Sequence, residues 1–155
     1  MLQYQIRRGR LTSLSYRTCD VSYDLGYLKS TPAWNMIESL ILAGDVNAAN
    51  TLYRLAFSIA ACKNWFRVKS GHWSVQYGGH ILHVRSTDAI EVYLIHASEN
   101  SRVPKDLAAK AAEIAYYIRR KWHEDRVARR TAERDMRREY RTRREYHPYQ
   151  SYRTR

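Results

Sequence analysis

Between Pro104 and Pro148 the chain contains neither Gly nor Pro, and Ala, Glu, Arg, Lys and Leu dominate the interval. Straight-chain residues and alanine lose little freedom in a helix, so such a run has one natural local state. A helix over about 42 residues, 104–146, extends about 63 Å at 1.5 Å per residue. Acid-first pairs at i,i+4 spacing support it: Asp125 with Arg129, Glu133 with Arg137 and Glu139 with Arg143. His147-Pro148 ends the pattern, because the residue before proline avoids helical angles. Residues 147–155 read as an irregular basic tail.

A single helix of that length cannot bury itself, so the preceding residues must supply a core. Residues 1–100 carry ten Lys or Arg against seven Asp or Glu, whereas residues 101–155 carry seventeen against eight. The net charges, +3 and +9, mark two regions with different work. From Arg119 onward fourteen basic residues face six acidic ones.

The core reads as a mixed domain. Leu2, Tyr4 and Ile6 alternate with polar residues at the period of a half-buried strand, and Gly9 turns the chain into a second strand around Leu11–Thr18. Thr31-Pro32 opens a helix, with Thr at the cap and Pro at the first helical position. Trp34, Ile37 and Ile41 give it an apolar face, Gly44 a stop, and Asp45 a cap for the next helix. The body of that second helix, Leu52–Ala61, is apolar almost all round and belongs in the centre of the domain.

HWSVQYGGHILHVR reads as two strands joined at Gly78-Gly79, since glycine takes the positive φ angles of a two-residue turn. The register pairs Tyr77 with His80, Val75 with Leu82 and Trp73 with Val84 on one face. His72, Ser74, Gln76, Ile81, His83 and Arg85 take the other. Ala89–Ala97 is either a helix capped by Ser86 or a third strand, given its β-branched content. The expected fold class is therefore α+β: a core of residues 1–100 with two helices, a hairpin and N-terminal strands, then a long Arg-rich helix.

At 100° per residue the helix separates into stripes. Leu107, Ala111, Ile114, Ile118 and Trp122 share one side, continued by Ala132, Met136 and Tyr140 after an interruption by Asp125 and Arg129. Arg119, Arg126, Arg130, Arg134, Arg137, Arg141 and Arg144 fall on an adjacent stripe about 80° wide. Glu124, Asp125, Asp135 and Glu139 lie largely on the far side. A row of seven guanidinium groups repels itself unless an anion lies along it, and a nucleic-acid backbone is the commonest such anion. Trp122 and Tyr140 add rings that stack on bases. The plain alternative is a solvated face or the flank of a coiled coil. In composition alone the segment resembles the arginine-rich peptides of viral RNA-binding proteins, which implies RNA ahead of DNA.

Other chemistry is thinly represented. Cys19 and Cys62 have no paired spacing, which fits a reducing compartment and no cysteine-based zinc site. His80 and His83 face opposite sides of a strand, and His72 and His83 share the polar hairpin face without further ligands. Asp88 and Glu91 are the nearest carboxylate pair for hydrolytic chemistry and equally suit the first turn of a helix. No glycine-rich phosphate loop is present, so neither catalysis nor a metal or other cofactor is expected. The basic-aromatic run Lys63–Lys69 either extends a phosphate track or ends a helix. No apolar run reaches the length of a bilayer span, and a cytoplasmic protein, in the host cell if viral, is expected. The expected function is non-enzymatic binding of RNA or DNA phosphate backbone, as in a phage or viral regulator or a ribonucleoprotein subunit. The rival is a structural or interaction protein whose basic helix enters a larger protein assembly or inhibits a host enzyme.

Overall fold

A computed structural model describes residues 1–146, with side chains through Arg144. The expected tail 147–155 lies outside the described residues. The fold is α+β, with two antiparallel sheets, two shorter helices and one long helix. Two compact units are present, Met1–Arg119 and a second beginning at Arg120.

The first sheet has the order β1 (Leu2–Arg7), β2 (Arg10–Arg17), β3 (Ser22–Asp24). Its first turn uses Arg8 and Gly9 at φ 53° and 71°, the paired positive angles of a tight hairpin. The register Leu2↔Tyr16, Tyr4↔Leu14 and Ile6↔Leu11 places the expected apolar residues on one face. That face is covered unevenly. Leu11, Leu14 and Leu2 are buried, while Tyr4 and Ile6 stand exposed. β1 is an edge strand, and its register with β2 shifts between Gln5 and Ile6.

Helix α1 (Pro32–Leu42) starts as its sequence dictates, with Thr31 Oγ1 accepting from Trp34 N–H at 3.5 Å. Ala33, Trp34, Ile37 and Ile41 form its buried face. Gly44, at φ 81°, reverses the chain, and Asp45 caps α2 (Val46–Ala61) by accepting from Ala48 N–H. Ala49, Leu52, Tyr53, Ala56, Ile59 and Ala60 of α2 are buried, the central position its composition implies. Each large aliphatic side chain so buried contributes about 1.5–3 kcal/mol. Polar clamps tie the helices to the first sheet. Leu2 N–H donates to Asn50 Oδ1 at 2.7 Å, and Leu11 N–H to the buried carboxylate of Glu38 at 2.9 Å.

The second sheet runs β4 (Trp65–Lys69), β5 (His72–Tyr77), β6 (His80–Ser86), β7 (Ile90–His96) in sequence order. The hairpin register is the one read from the sequence: Tyr77↔His80, Val75↔Leu82, Trp73↔Val84. Gly78 and Gly79 adopt φ 61° and 85° in its turn. The run Lys63–Lys69 follows directly on the end of α2, and its Trp65–Lys69 part pairs antiparallel with β5. Ala89–Ala97 is not helical, because Ile90–His96 pairs with β6, as its β-branched residues favour.

Helix α3 (Lys105–Tyr146) is unbroken, as its composition requires. In the first unit Ala108, Ala111, Ala112, Ile114, Ala115, Tyr117 and Ile118 are buried, an arc much wider than one stripe. Leu107, expected on the apolar stripe, is only half-buried. From His123 to Arg144 every residue is exposed.

Candidate nucleic-acid interface

Every candidate residue of the arginine row lies on α3, as the sequence spacing requires, and they divide into two groups. Arg126, Arg130, Arg134, Arg137, Arg141 and Arg144 are exposed. Among the described residues, no carboxylate oxygen lies within 4.0 Å of these six guanidinium groups. Off the row, Arg129 and Arg138 also have no carboxylate within 4.0 Å among the described residues, but three other cations are paired. Arg120 meets Glu124 at 3.9 Å, Lys121 meets Asp125 at 3.0 Å, and Arg143 meets Glu139 at 2.7 Å. The helix thus spends three of its acids on cations outside the row. Of the expected i,i+4 pairs only Glu139–Arg143 forms. Asp125 takes Lys121 one turn earlier, and Glu133, which helical spacing puts beside the row, reaches no cation within 4.0 Å among the described residues.

Arg119 does different work. Its Nη1–H donates to the carbonyl of Ala60 at 2.9 Å, and its guanidinium sits 4.7 Å from the centre of the Trp65 ring. Trp65 Nε1–H in turn donates to the carbonyl of Ile59 at 2.8 Å. Ile59 and Ala60 belong to the last turn of α2, where carbonyls lack helical partners and the helix dipole is negative. A cation and an indole satisfy that end. Position on the helical wheel could not separate Arg119 from the row; only the neighbouring chain ends do.

The two aromatic candidates also differ. Trp122 is half-buried, while Tyr140 is 68% exposed and Met136 beside it 64%. Met136, Arg137, Tyr140, Arg141 and Arg144 line one open groove together with the paired Glu139 and Arg143, which brings a ring and three row arginines together. Chemically this arrangement offers forked donors for phosphate oxygens and an exposed ring for a base.

The histidines are more organised than their sequence suggests. His80 is buried on the inner face of the second sheet, with Nε2–H donating to the Val103 carbonyl at 2.6 Å and Nδ1 accepting from Ser98 N–H at 3.2 Å. It fastens the segment that leads into α3. The expected proximity of His72 and His83 is real: Nε2 of one lies 2.9 Å from Nδ1 of the other. Burial, and then the positive neighbours His83, Arg85 and Lys69, hold the His72 imidazole below its ordinary range. Among the described residues, no group of three or more His, Cys, Asp or Glu could hold a metal. Asp88 occupies the turn before β7 rather than a helical first turn, and Glu91, on β7, accepts from the Tyr93 hydroxyl. That bond, ahead of burial, raises the Tyr93 phenol above its usual range.

Among the described residues, no helix is long and apolar enough to cross a membrane. No protein-family model, no curated protein and no solved structure matches the chain.

Proposed function

We propose that the exposed row Arg126, Arg130, Arg134, Arg137, Arg141 and Arg144 binds the phosphate backbone of nucleic acid, RNA ahead of DNA, without catalysis. The observation that carries this reading is the unmatched charge. Six guanidinium groups share one arc with no carboxylate within 4.0 Å among the described residues, while three of the cations off the row, Arg120, Lys121 and Arg143, take the acids Glu124, Asp125 and Glu139. A helix that only needs solvation interleaves its charges; this one leaves a line of forked donors for an external anion. Tyr140 beside the row supplies a stacking ring for an unpaired base. The role inferred is that of a small regulator or ribonucleoprotein subunit in the cytoplasm.

The test is a titration of the full chain with an RNA hairpin and with duplex DNA at several salt concentrations. Replacing two phosphate contacts in Arg130→Glu with Arg137→Glu lowers affinity at least about tenfold and reduces the salt slope by about 2, at about 0.9 per contact. Wild-type affinity and slope in that variant would end the proposal.

A second reading has its own observation. Met136 and Tyr140 leave apolar surface open beside the row, as a helix inserting into a larger protein assembly requires. Pull-down of a protein complex that is lost in Met136→Glu but kept in the arginine variant supports this alternative.

A further inference from the structure

The inner face of the second sheet, with Trp65, Val75, Leu82 and Val84, is buried. Its outer face is exposed at Phe66, Lys69, Arg85, Glu91 and Tyr93, with His72 buried among them, and the register across all four strands fixes what stands there. One row runs Phe66↔Ser74↔His83↔Tyr93, and the next runs Lys69↔His72↔Arg85↔Glu91. Phe66 is 53% exposed and Tyr93 44%. Each row residue stands on the same side as its cross-strand partner, so two rings stand at the two edges of one row. Arg85 lies 5.3 Å from the centre of the Tyr93 ring, and the Tyr93 hydroxyl is anchored on Glu91. That bond holds the Tyr93 hydroxyl on the one carboxylate of the second row. With Lys69 and Arg85 against Glu91 alone, the row carries a net positive charge.

We infer that this face binds a single-stranded RNA segment, stacking two unpaired bases on Phe66 and Tyr93 and meeting its phosphates with Lys69 and Arg85. The inference rests on the nucleic-acid reading above and adds the kind of strand recognised. Spacing selects the strand. The rings are three strand separations apart, about 14 Å, whereas bases stacked in a helix rise about 3.4 Å per step. A continuous stack cannot cover both rings; a strand with splayed bases can. Between the rings, Ser74 and His83 offer a hydroxyl and an imidazole to a ribose 2′-hydroxyl, which DNA lacks. The charge of the face argues against other occupants. A second copy of a chain with net charge +12 brings like charges to Lys69 and Arg85. An apolar protein surface meets two rings divided by polar side chains rather than a continuous patch.

The experiment uses the full chain and three probes: an unstructured single-stranded RNA, the same sequence as DNA, and a fully paired RNA hairpin. Phe66→Ala with Tyr93→Ala is expected to weaken single-stranded RNA binding by about tenfold or more, with hairpin affinity changed by less than about twofold. The salt slope stays at the wild-type value, because no phosphate contact is removed. Phe66→Tyr, which keeps a ring, retains binding. Both positions are exposed, and a thermal melt superimposable on wild type verifies folding. Unchanged single-strand affinity in the double variant, or an equal loss on the hairpin, overturns the inference. Equal wild-type affinity for the DNA strand overturns the assignment to RNA. Failure of the arginine-row reading looks different: Arg130→Glu with Arg137→Glu then leaves all three probes bound as before, while the ring variant still loses the single strand.

Discussion

Residues 105–119 and 120–144 of α3 continue one helix with one backbone geometry, yet their side chains meet opposite conditions. In the first stretch Ala108 and Ala112 occupy the helical positions that Arg126 and Arg130 occupy about five turns further on, and they are fully buried. In the second, that sector carries Arg126, Arg130, Arg134, Arg137, Arg141 and Arg144, all exposed. Arg119 stands at the junction, and its guanidinium is committed to Ala60 and Trp65. Small residues serve contact and long cations serve reach. The same angular sector of a helix changes role within one turn.

The difference can be broken most severely from the buried side. Ile118→Ala, at a side chain 1% exposed, removes packed methylenes and leaves a cavity. It is expected to cost about 2–5 kcal/mol in chemical denaturation. A change within about 0.5 kcal/mol would mean that this stretch packs no more tightly than surface.

Arg119→Ala tests the junction. Losing the charged hydrogen bond and the stacked cation costs about 1–3 kcal/mol. Salt dependence of RNA binding is expected to stay at the wild-type value, which separates Arg119 from the exposed row. A slope reduced as in the row variants would return Arg119 to it.

A pH series sharpens the contrast further. The His72 imidazole is held below its ordinary value of 6.5 by burial and by His83, Arg85 and Lys69. The unfolded chain therefore binds that proton more readily, so stability is full above pH 6.5 and falls as pH drops below it. Guanidinium groups keep their charge throughout this range, so phosphate contacts by the row do not follow the same curve. His72→Gln is expected to flatten the acid limb of a stability profile. A limb of undiminished steepness would assign the effect to other groups.

The smallest stability effect belongs to the exposed stretch. Arg134→Ala is expected to change unfolding by less than about 0.5 kcal/mol. Its salt slope for RNA falls by about 0.9, the contribution of one phosphate contact. Destabilisation comparable to Ile118→Ala would show that the row is structural.

Much of this was legible in the chain. Thr31-Pro32, Gly44-Asp45 and Gly78-Gly79 are local devices whose chemistry acts on the neighbouring backbone, and each sits where it was read. The hairpin register follows from a two-residue turn and needs no knowledge of the rest of the molecule. The long helix follows from the absence of any breaker. Ala89–Ala97 is ambiguous in the sequence because a short apolar run satisfies helix and strand alike, and pairing with β6 decides it. Phe66 and Tyr93 lie on different strands, so only the register across β4–β7 shows that they share a row.

The sequence by itself determined where α3 begins, that it runs unbroken through the described residues and which arginines share a sector, because helical spacing is a property of the local backbone. Tertiary structure alone decided which of those arginines face outward. Arg119 and Arg126 stand at nearly the same angle on the helix, but the end of α2 and the Trp65 ring come within reach of only the first. That proximity depends on contacts between residues about sixty positions apart, from Ala60 to Arg119, which no local pattern encodes.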